Sequence, residues 1–266
     1  MRTRCFFLRG SDAGSPARGC LQFLAAAADV QRAAGWTTYD SGHPERAEEH
    51  FADAAEDALT AGDPEVFTNT MAFWAIKCYS TGTPRAAVSL VEAASTYATA
   101  TGSARMRAML YARACRAHAR AGDQRASDRA ANAALDAYRN AVPLSEDLSS
   151  LYWVNIGEIR QLLGSSALNL GDPARALRHF QQAGAATETY NGDAFPRGAA
   201  IYCARQAEAY LALRDLDHGV GAAQQDVERL GGVTSARGSA TLADLRSKLV
   251  EHRAVPEVRH FLELTR

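Results

Sequence analysis

Arginine is the side chain through which this sequence comes nearest to a site. Arg105, Arg107, Arg113, Arg116 and Arg120 fall within sixteen consecutive residues that contain no acid. Arg113, Arg116 and Arg120, spaced by three and four, share one face if that stretch is helical. Guanidinium groups pair with carboxylates and phosphates in a two-pronged geometry, so such a stripe suits an anion or an acidic peptide. The plainer reading is a solvated charged face. Residues 40–65 are the counterpart, with nine acids and one arginine, and they leave open a third reading: acidic-to-basic contact between copies, head to tail or in a homodimer.

Covalent, metal and cofactor chemistry have no comparable foothold. P-loop, H-E-x-x-H, G-x-S-x-G and EF-hand patterns are all missing from the chain. Gly219-Val220-Gly221 matches part of a dinucleotide fingerprint but has no strand before it. The seven histidines are scattered and read as surface groups, and the five cysteines are widely spaced, with no C-x-x-C pair. Neither a disulfide framework nor a structural zinc is expected. Cys78, Cys115 and Cys203 sit among apolar neighbours and read as small hydrophobic side chains. The expectation is a protein that is not an enzyme, with no catalytic residue, metal or cofactor.

The composition points the same way. The chain has 266 residues, 47% hydrophobic and 22% charged, with a formal net charge of -1. That is enough apolar material for a sizeable core, and the charge balance gives no whole-molecule attraction to nucleic acid or an anionic membrane. No apolar run is long enough to span a bilayer, and Cys5-Phe6-Phe7-Leu8 is too short for a signal-peptide core. A cytoplasmic protein is expected. About a fifth of the residues are alanine and only Lys77 and Lys248 are lysine, a mixture that favours helix throughout.

The elements that would position the arginines emerge from an internal repeat. Gly42-His43-Pro44, Gly82-Thr83-Pro84 and Gly171-Asp172-Pro173 each follow one helical pattern and open another, Gly122-Asp123 begins a fourth copy, and Arg214-Asp215-Leu216 is a degenerate fifth. Glycine just past a helix and proline at the first position of the next form a compact corner, with Thr83 or Asp172 available as a cap. Five residues after each corner stands a small side chain: Ala47, Ala87, Ser127, Ala176 and Gly219. Four further on come Phe51, Val91, Ala131, Phe180 and Ala223. Seven residues before each corner lie Gly35, Ala75, Cys115, Gly164 and Ala207. These offsets put small residues where two antiparallel helices cross.

The unit is therefore a helical hairpin. Helices are predicted at about 20–41, 44–61, 64–81, 84–101, 104–121, 124–140, 149–170, 173–189, 195–213 and 216–230. Insertions fall around Pro143 and Pro196. After a break at Gly231 to Gly238, a closing pair at about 240–251 and 255–264 covers the last apolar face. The predicted organisation is an unpatterned segment at 1–19, mobile or a remnant, then one all-α superhelical domain at 20–266. Its repeats run at about 20–62, 64–102, 104–140, 149–189 and 195–230, with a cap at 239–265.

These residues resemble a known family. Gly35-Trp36-x-x-Tyr39-Asp40-x-Gly42 followed by Ala47, Phe51 and Ala54, together with Leu170-Gly171-Asp172-Pro173-Ala174-Arg175-Ala176-Leu177, look like tetratricopeptide repeats. They look specifically like those that follow an N-terminal helix-turn-helix (XRE-type) domain in transcriptional regulators of high-GC bacteria. The resemblance covers about residues 21–230. Corner spacings of 40, 40, 49 and 43 residues exceed the consensus of about 34. About 20 unpatterned residues stand where those regulators carry their DNA-binding domain, so direct DNA binding is not expected. The chain reads as a sensor module or as one that acts on a separate partner.

The resemblance implies a concave surface lined by the first helix of each pair, where the family binds peptides. In this sequence that surface would carry Arg32, Trp36, Tyr39, Asn69, Tyr79, Arg113, Arg116, Arg120, Glu158, Gln161, Asn169 and Arg205, with Asp29 and Glu208 beside them. For Trp36 and Tyr39 the competing assignment is the core. The expected function is non-enzymatic recognition of a peptide or partner protein in regulation. The alternative is a small-molecule-binding or enzymatic accessory protein using the concave pocket, which would require a perturbed titratable pair such as Glu158 with Arg113 or Arg116.

Overall fold

A computed structural model describes residues 16–186, 196–230 and 235–265. Its helices follow in pairs. α1 (Pro16–Asp40) pairs with α2 (Pro44–Ala61), α3 (Pro64–Ser80) with α4 (Pro84–Ala100), and α5 (Ala104–Arg120) with α6 (Gln124–Arg139). The series continues with α7 (Ile156–Asn169) on α8 (Pro173–Gly184) and α9 (Pro196–Ala212) on α10 (Leu216–Leu230), and closes with α11 (Ala236–Leu249) and α12 (Pro256–Leu264). No strand occurs among the described residues. Odd-numbered helices pack on each other from one hairpin to the next and form the inner layer of a tetratricopeptide-like stack, with the even-numbered helices outside.

The corners are equivalent joints. Gly42, Gly82, Gly122 and Gly171 have φ of 90°, 92°, 80° and 79°, the left-handed region in which a Cβ is unfavourable. Arg214, at the degenerate fifth corner, has φ 62° and is the one non-glycine with positive φ among the described residues. Asp123 and Asp172 then cap the following helices, accepting from the amides of Ala126 and Arg175. Thr83 does not cap α4. Its hydroxyl instead donates back to the carbonyl of Cys78, closing the end of α3.

The crossing points show why the small residues recur. A Cβ added at Gly164 would lie 2.5 Å from the Phe180 ring, and one at Gly35 would lie 2.9 Å from Phe51. Where the outer helix carries phenylalanine, the inner helix has lost its side chain to admit it. In the third hairpin Cys115 meets Ser127, whose hydroxyl donates to the Cys115 carbonyl at 3.0 Å. Burial there holds the Cys115 thiol above its usual range. Leu245, Leu249, Val258 and Phe261 of the closing pair pack with Ala204, Ala207, Val220 and Ala223. They cover the face that α9 and α10 would otherwise expose.

Several boundaries differ from expectation. α1 begins at Pro16, so Pro16 to Gly19 belong to its first turn rather than to the unpatterned segment, and the remainder of that segment, 1–15, lies outside the described residues. α7 begins at Ile156 instead of near 149: residues 149–151 wind as a 3₁₀ turn, and Asn155 caps α7 by accepting from the Glu158 amide at 2.8 Å. α8 stops at Gly184, before the predicted 189. The closing pair starts at Ala236, capped by Ser235. The rest of the predicted break, 231–234, and the stretch 187–195 lie outside the described residues. No helix among the described residues is long and apolar enough to cross a membrane.

Candidate functional site

The inner layer does not remain an open groove. Asp40, at the C-terminal end of α1, is 5% exposed, accepts from the Ser235 hydroxyl at 3.0 Å and pairs with Arg197 at the start of α9. Arg237 of α11 lies 4.8 Å over the ring of Trp36 and 5.8 Å from that of Tyr39. The first hairpin is thereby tied to the last two. The stack closes on itself, and its inner face becomes two hollows of about 840 and 970 Å³.

Arg113, Gly198, Tyr202 and Arg237 border both hollows and form the partition between them. Within it Arg113 pairs with Glu158 at 3.6 Å, and Tyr202 donates to Glu158 at 2.7 Å. Burial pushes the Glu158 carboxyl above the ordinary carboxylate range, against the opposing pull of Arg113 and the Tyr202 hydrogen bond. Glu158 and Arg113, named above as a candidate pair, thus meet in the partition between the two hollows.

The larger hollow is aromatic. Phe73 lies 5.0 Å from Trp36 and 5.9 Å from Trp153, and guanidinium groups cover the row: Arg32 over Phe73, Arg237 over Trp36 and Arg113 over Trp153. Asp29, Asp40, Asp63, Glu65 and Glu158 also line this hollow. Aromatic faces with cations above them make desolvated contact area that a ligand side chain can share.

The smaller hollow is cationic. Arg113, Arg116, Arg120, Arg205, Arg237 and Lys248 line it against three carboxylates, those of Glu208, Asp244 and Glu251. Glu208 is already engaged by both Arg205 and Lys248. Arg116 is 8% exposed and its Nη1 donates to the Ser165 carbonyl and to Asn169 Oδ1. Arg120 donates through Nε to the Tyr79 carbonyl at 3.1 Å. Neither guanidinium has a carboxylate partner among the described residues. Burial, with Arg205 nearby, pushes Arg116 down to about 10.

The predicted site residues are thus distributed as follows. Tyr39, Tyr79, Arg113, Arg116, Arg120, Asn169 and Arg205 line the cationic hollow, while Arg32, Trp36, Asn69, Arg113 and Glu158 line the aromatic one. Gln161 lines neither, and its Oε1 is buried without a hydrogen-bond partner. Tyr39, Asn69, Tyr79, Arg113, Arg116 and Glu158 are buried rather than exposed. Tyr39 therefore serves the core and the hollow together. Asn69 donates to Ser150, which fixes the segment before α7 against α3.

Phe73, Trp153, Tyr202, Arg237 and Lys248 were not foreseen. A signal for Phe73 was present in the repeat register. Positions nine, six and two residues before each corner line the hollows in all five hairpins: Ala33, Phe73, Arg113, Leu162 and Arg205; Trp36, Ile76, Arg116, Ser165 and Glu208; Asp40, Ser80, Arg120, Asn169 and Ala212. Steps of three and four keep them on one helical face. Arg237 and Lys248 carry no such signal, because they arrive through closure. Among the described residues no group of three or more His, Cys, Asp or Glu could hold a metal ion.

A scan against models of known protein families finds no match, nor does a search of curated proteins. Among solved structures, 93% of the chain aligns with 46% of a chain in the crystal structure of the APC/C hetero-tetramer Cut9–Hcn1, at 16% identity and a TM-score of 0.46. The chain thus spans less than half the length of that protein. It also aligns over 90% of its length with 98% of a chain in the TPR2AB-domain:pHSP90 complex of yeast Sti1, at 16% identity and a TM-score of 0.34. The assignment as a tetratricopeptide-like all-α stack rests on the corners, the crossings and the inner-outer layering described above.

Proposed function

We propose that the chain is a non-enzymatic recognition module whose inner face receives a short segment of a partner protein, in a regulatory role. The observation that carries this reading is the inner face itself. It joins a row of aromatic rings under guanidinium groups to a cationic hollow in which two arginines lack a counter-charge. Aromatic and arginine side chains in desolvated pockets are the anchors on which protein recognition most depends. A ligand touching both α5 and α11 would bias the closure of the stack, and that change of curvature is what a partner would read.

A second reading, a small-molecule ligand, is favoured by the closure and by hollow volumes within the size range of small-ligand pockets, roughly 300–1,000 Å³. The test is selection of randomised short peptides displayed against the purified chain, with binding measured on Trp36→Ala, Arg116→Glu and the outer-face variant Arg139→Gln. Enriched peptides that lose affinity at least tenfold with the inner-face variants, and keep it with the outer-face one, support the module. No enrichment, or binding indifferent to Trp36 and Arg116, refutes it.

A further inference from the structure

We propose that the cationic hollow is a site for one oxyanion group, a phosphate or carboxylate, of a compact ligand, with Arg116 as its principal donor and Arg120 as its second. The inference rests on reading the inner face as the binding surface, and it names the chemistry that surface takes.

Arg116 is a built feature. It is nine-tenths buried, its guanidinium lies 5.7 Å from the Tyr79 ring, and Nη1 is tied to Ser165 and Asn169 on α7. The head group is therefore fixed in place before any ligand arrives, which keeps the entropy lost on binding small. Both of its hydrogen bonds to described residues are through Nη1, so Nε and Nη2 have no partner among them, and Arg116 borders the hollow. A guanidinium taken from water without an anion is costly to the fold, and a ligand oxyanion offsets that cost. None of the carboxylates that border the hollow, Glu208, Asp244 and Glu251, pairs with Arg116. Glu158 is engaged by Arg113 and Tyr202, and Glu208 by Arg205 and Lys248.

Arg120 stands one turn further along the same face of α5, exposed at the mouth. Two guanidinium groups one turn apart suit the spread oxygens of a phosphate or carboxylate better than a point charge. The size of the hollow, about 840 Å³, and its closure by α11 favour a compact ligand over a long extended one.

The experiment uses the full chain and three probes, inorganic phosphate, pyrophosphate and citrate, against chloride at equal ionic strength. Thermal unfolding and titration calorimetry are the readouts. At millimolar probe the midpoint should rise with concentration, as mass action requires of a ligand bound only by the folded state. Arg116→Gln should weaken the response about ten- to hundredfold. Arg120→Gln, at an exposed position whose hydrogen bond is to the Tyr79 carbonyl, should keep the helical circular dichroism of the parent and weaken the response to a smaller degree, and Arg139→Gln on the outer face should leave it unchanged. A stronger response to pyrophosphate assigns phosphate, a stronger one to citrate assigns carboxylate, and either supports the site.

Selected peptides compared with free and amidated C termini distinguish a peptide carboxylate from a free anion as the source. No midpoint shift with any of the three probes, or a shift undiminished in Arg120→Gln, overturns the inference. If peptides bind through Trp36 while all anions are inert and Arg116→Gln is silent, the oxyanion site falls and the recognition module stands. If anions bind and no peptide does, the peptide reading falls instead.

Discussion

His179 on α8 shows how partial burial beside an arginine sets the charge of a side chain that the sequence presents as an ordinary surface histidine. Arg160 of α7 lies with Nη1 3.3 Å from His179 Nδ1, and since arginine can only donate, Nδ1 is the acceptor and the ring is neutral. Burial, reinforced by Arg160, Arg175 and Arg178, pushes the imidazole down from 6.5 to about 4. The unfolded chain therefore binds a proton between these values that the folded chain refuses. The corresponding stability is fully present above pH 6.5 and is lost as the pH falls through 6.5 toward 4. Discounted for partial exposure, it is on the order of 1–2 kcal/mol. His179→Gln should flatten the dependence of the unfolding midpoint on pH across that window, and an unchanged slope would sink the assignment. Nothing in the spacing of the histidines marks His179, because its environment is made by a neighbour nineteen positions away on another helix.

At the scale of the element, each hairpin solves the same volume problem in its own way, and most of that solution was legible. Corner glycines, prolines at the first helical position and the small residues at fixed offsets state where helices end and where they cross. Gly164 opposite Phe180 and Gly35 opposite Phe51 are two instances; the second hairpin has Ala75 and Val91 at the equivalent positions, both buried in the core. The pairing makes a double substitution informative. Gly164→Ala forces the Phe180 ring to shift and should cost about 1–3 kcal/mol in urea unfolding. Phe180→Val alone leaves a void and should cost a similar amount or more. Together they reproduce the second hairpin's combination, so the double variant should be more stable than the sum of the two losses by about 1 kcal/mol. Additive losses would mean that these residues do not share one space. The late start of α7 was less legible. The helical pattern continues upstream of Asn155, but the Asn155 side chain caps the Glu158 amide while Arg105 holds the preceding segment through Val154 and Val142 carbonyls and Asp147. Tertiary contacts across more than thirty residues override local propensity there.

Closure belongs to the whole molecule, and no repeat contains it. The register implies a concave inner face, and eleven of the twelve residues anticipated there border the two hollows, but nothing in it implies that α11 closes that face. What brings α11 back to α1 is the small rotation per hairpin summed over the stack, a quantity set by every crossing together. Asp40 is the point where this sum becomes chemistry, since it joins Arg197 and Ser235 at sequence separations of 157 and 195. Asp40 and Ser235 are buried, whereas Arg197 is half exposed. Replacing the carboxylate therefore leaves the Ser235 hydroxyl hydrogen without its acceptor, while the oxygen still caps α11, and frees a cation that water can reach. The expected loss is about 1–3 kcal/mol, smaller than for a pair buried on both sides. Asp40→Ala should thus leave the hairpins folded by circular dichroism while the ends part. Small-angle scattering should then report a larger radius of gyration, and limited proteolysis should show faster cleavage near Ser235. Should the radius stay unchanged, the contact is incidental and the two hollows are held closed by the packing of Arg237 on Trp36 and Tyr39 alone.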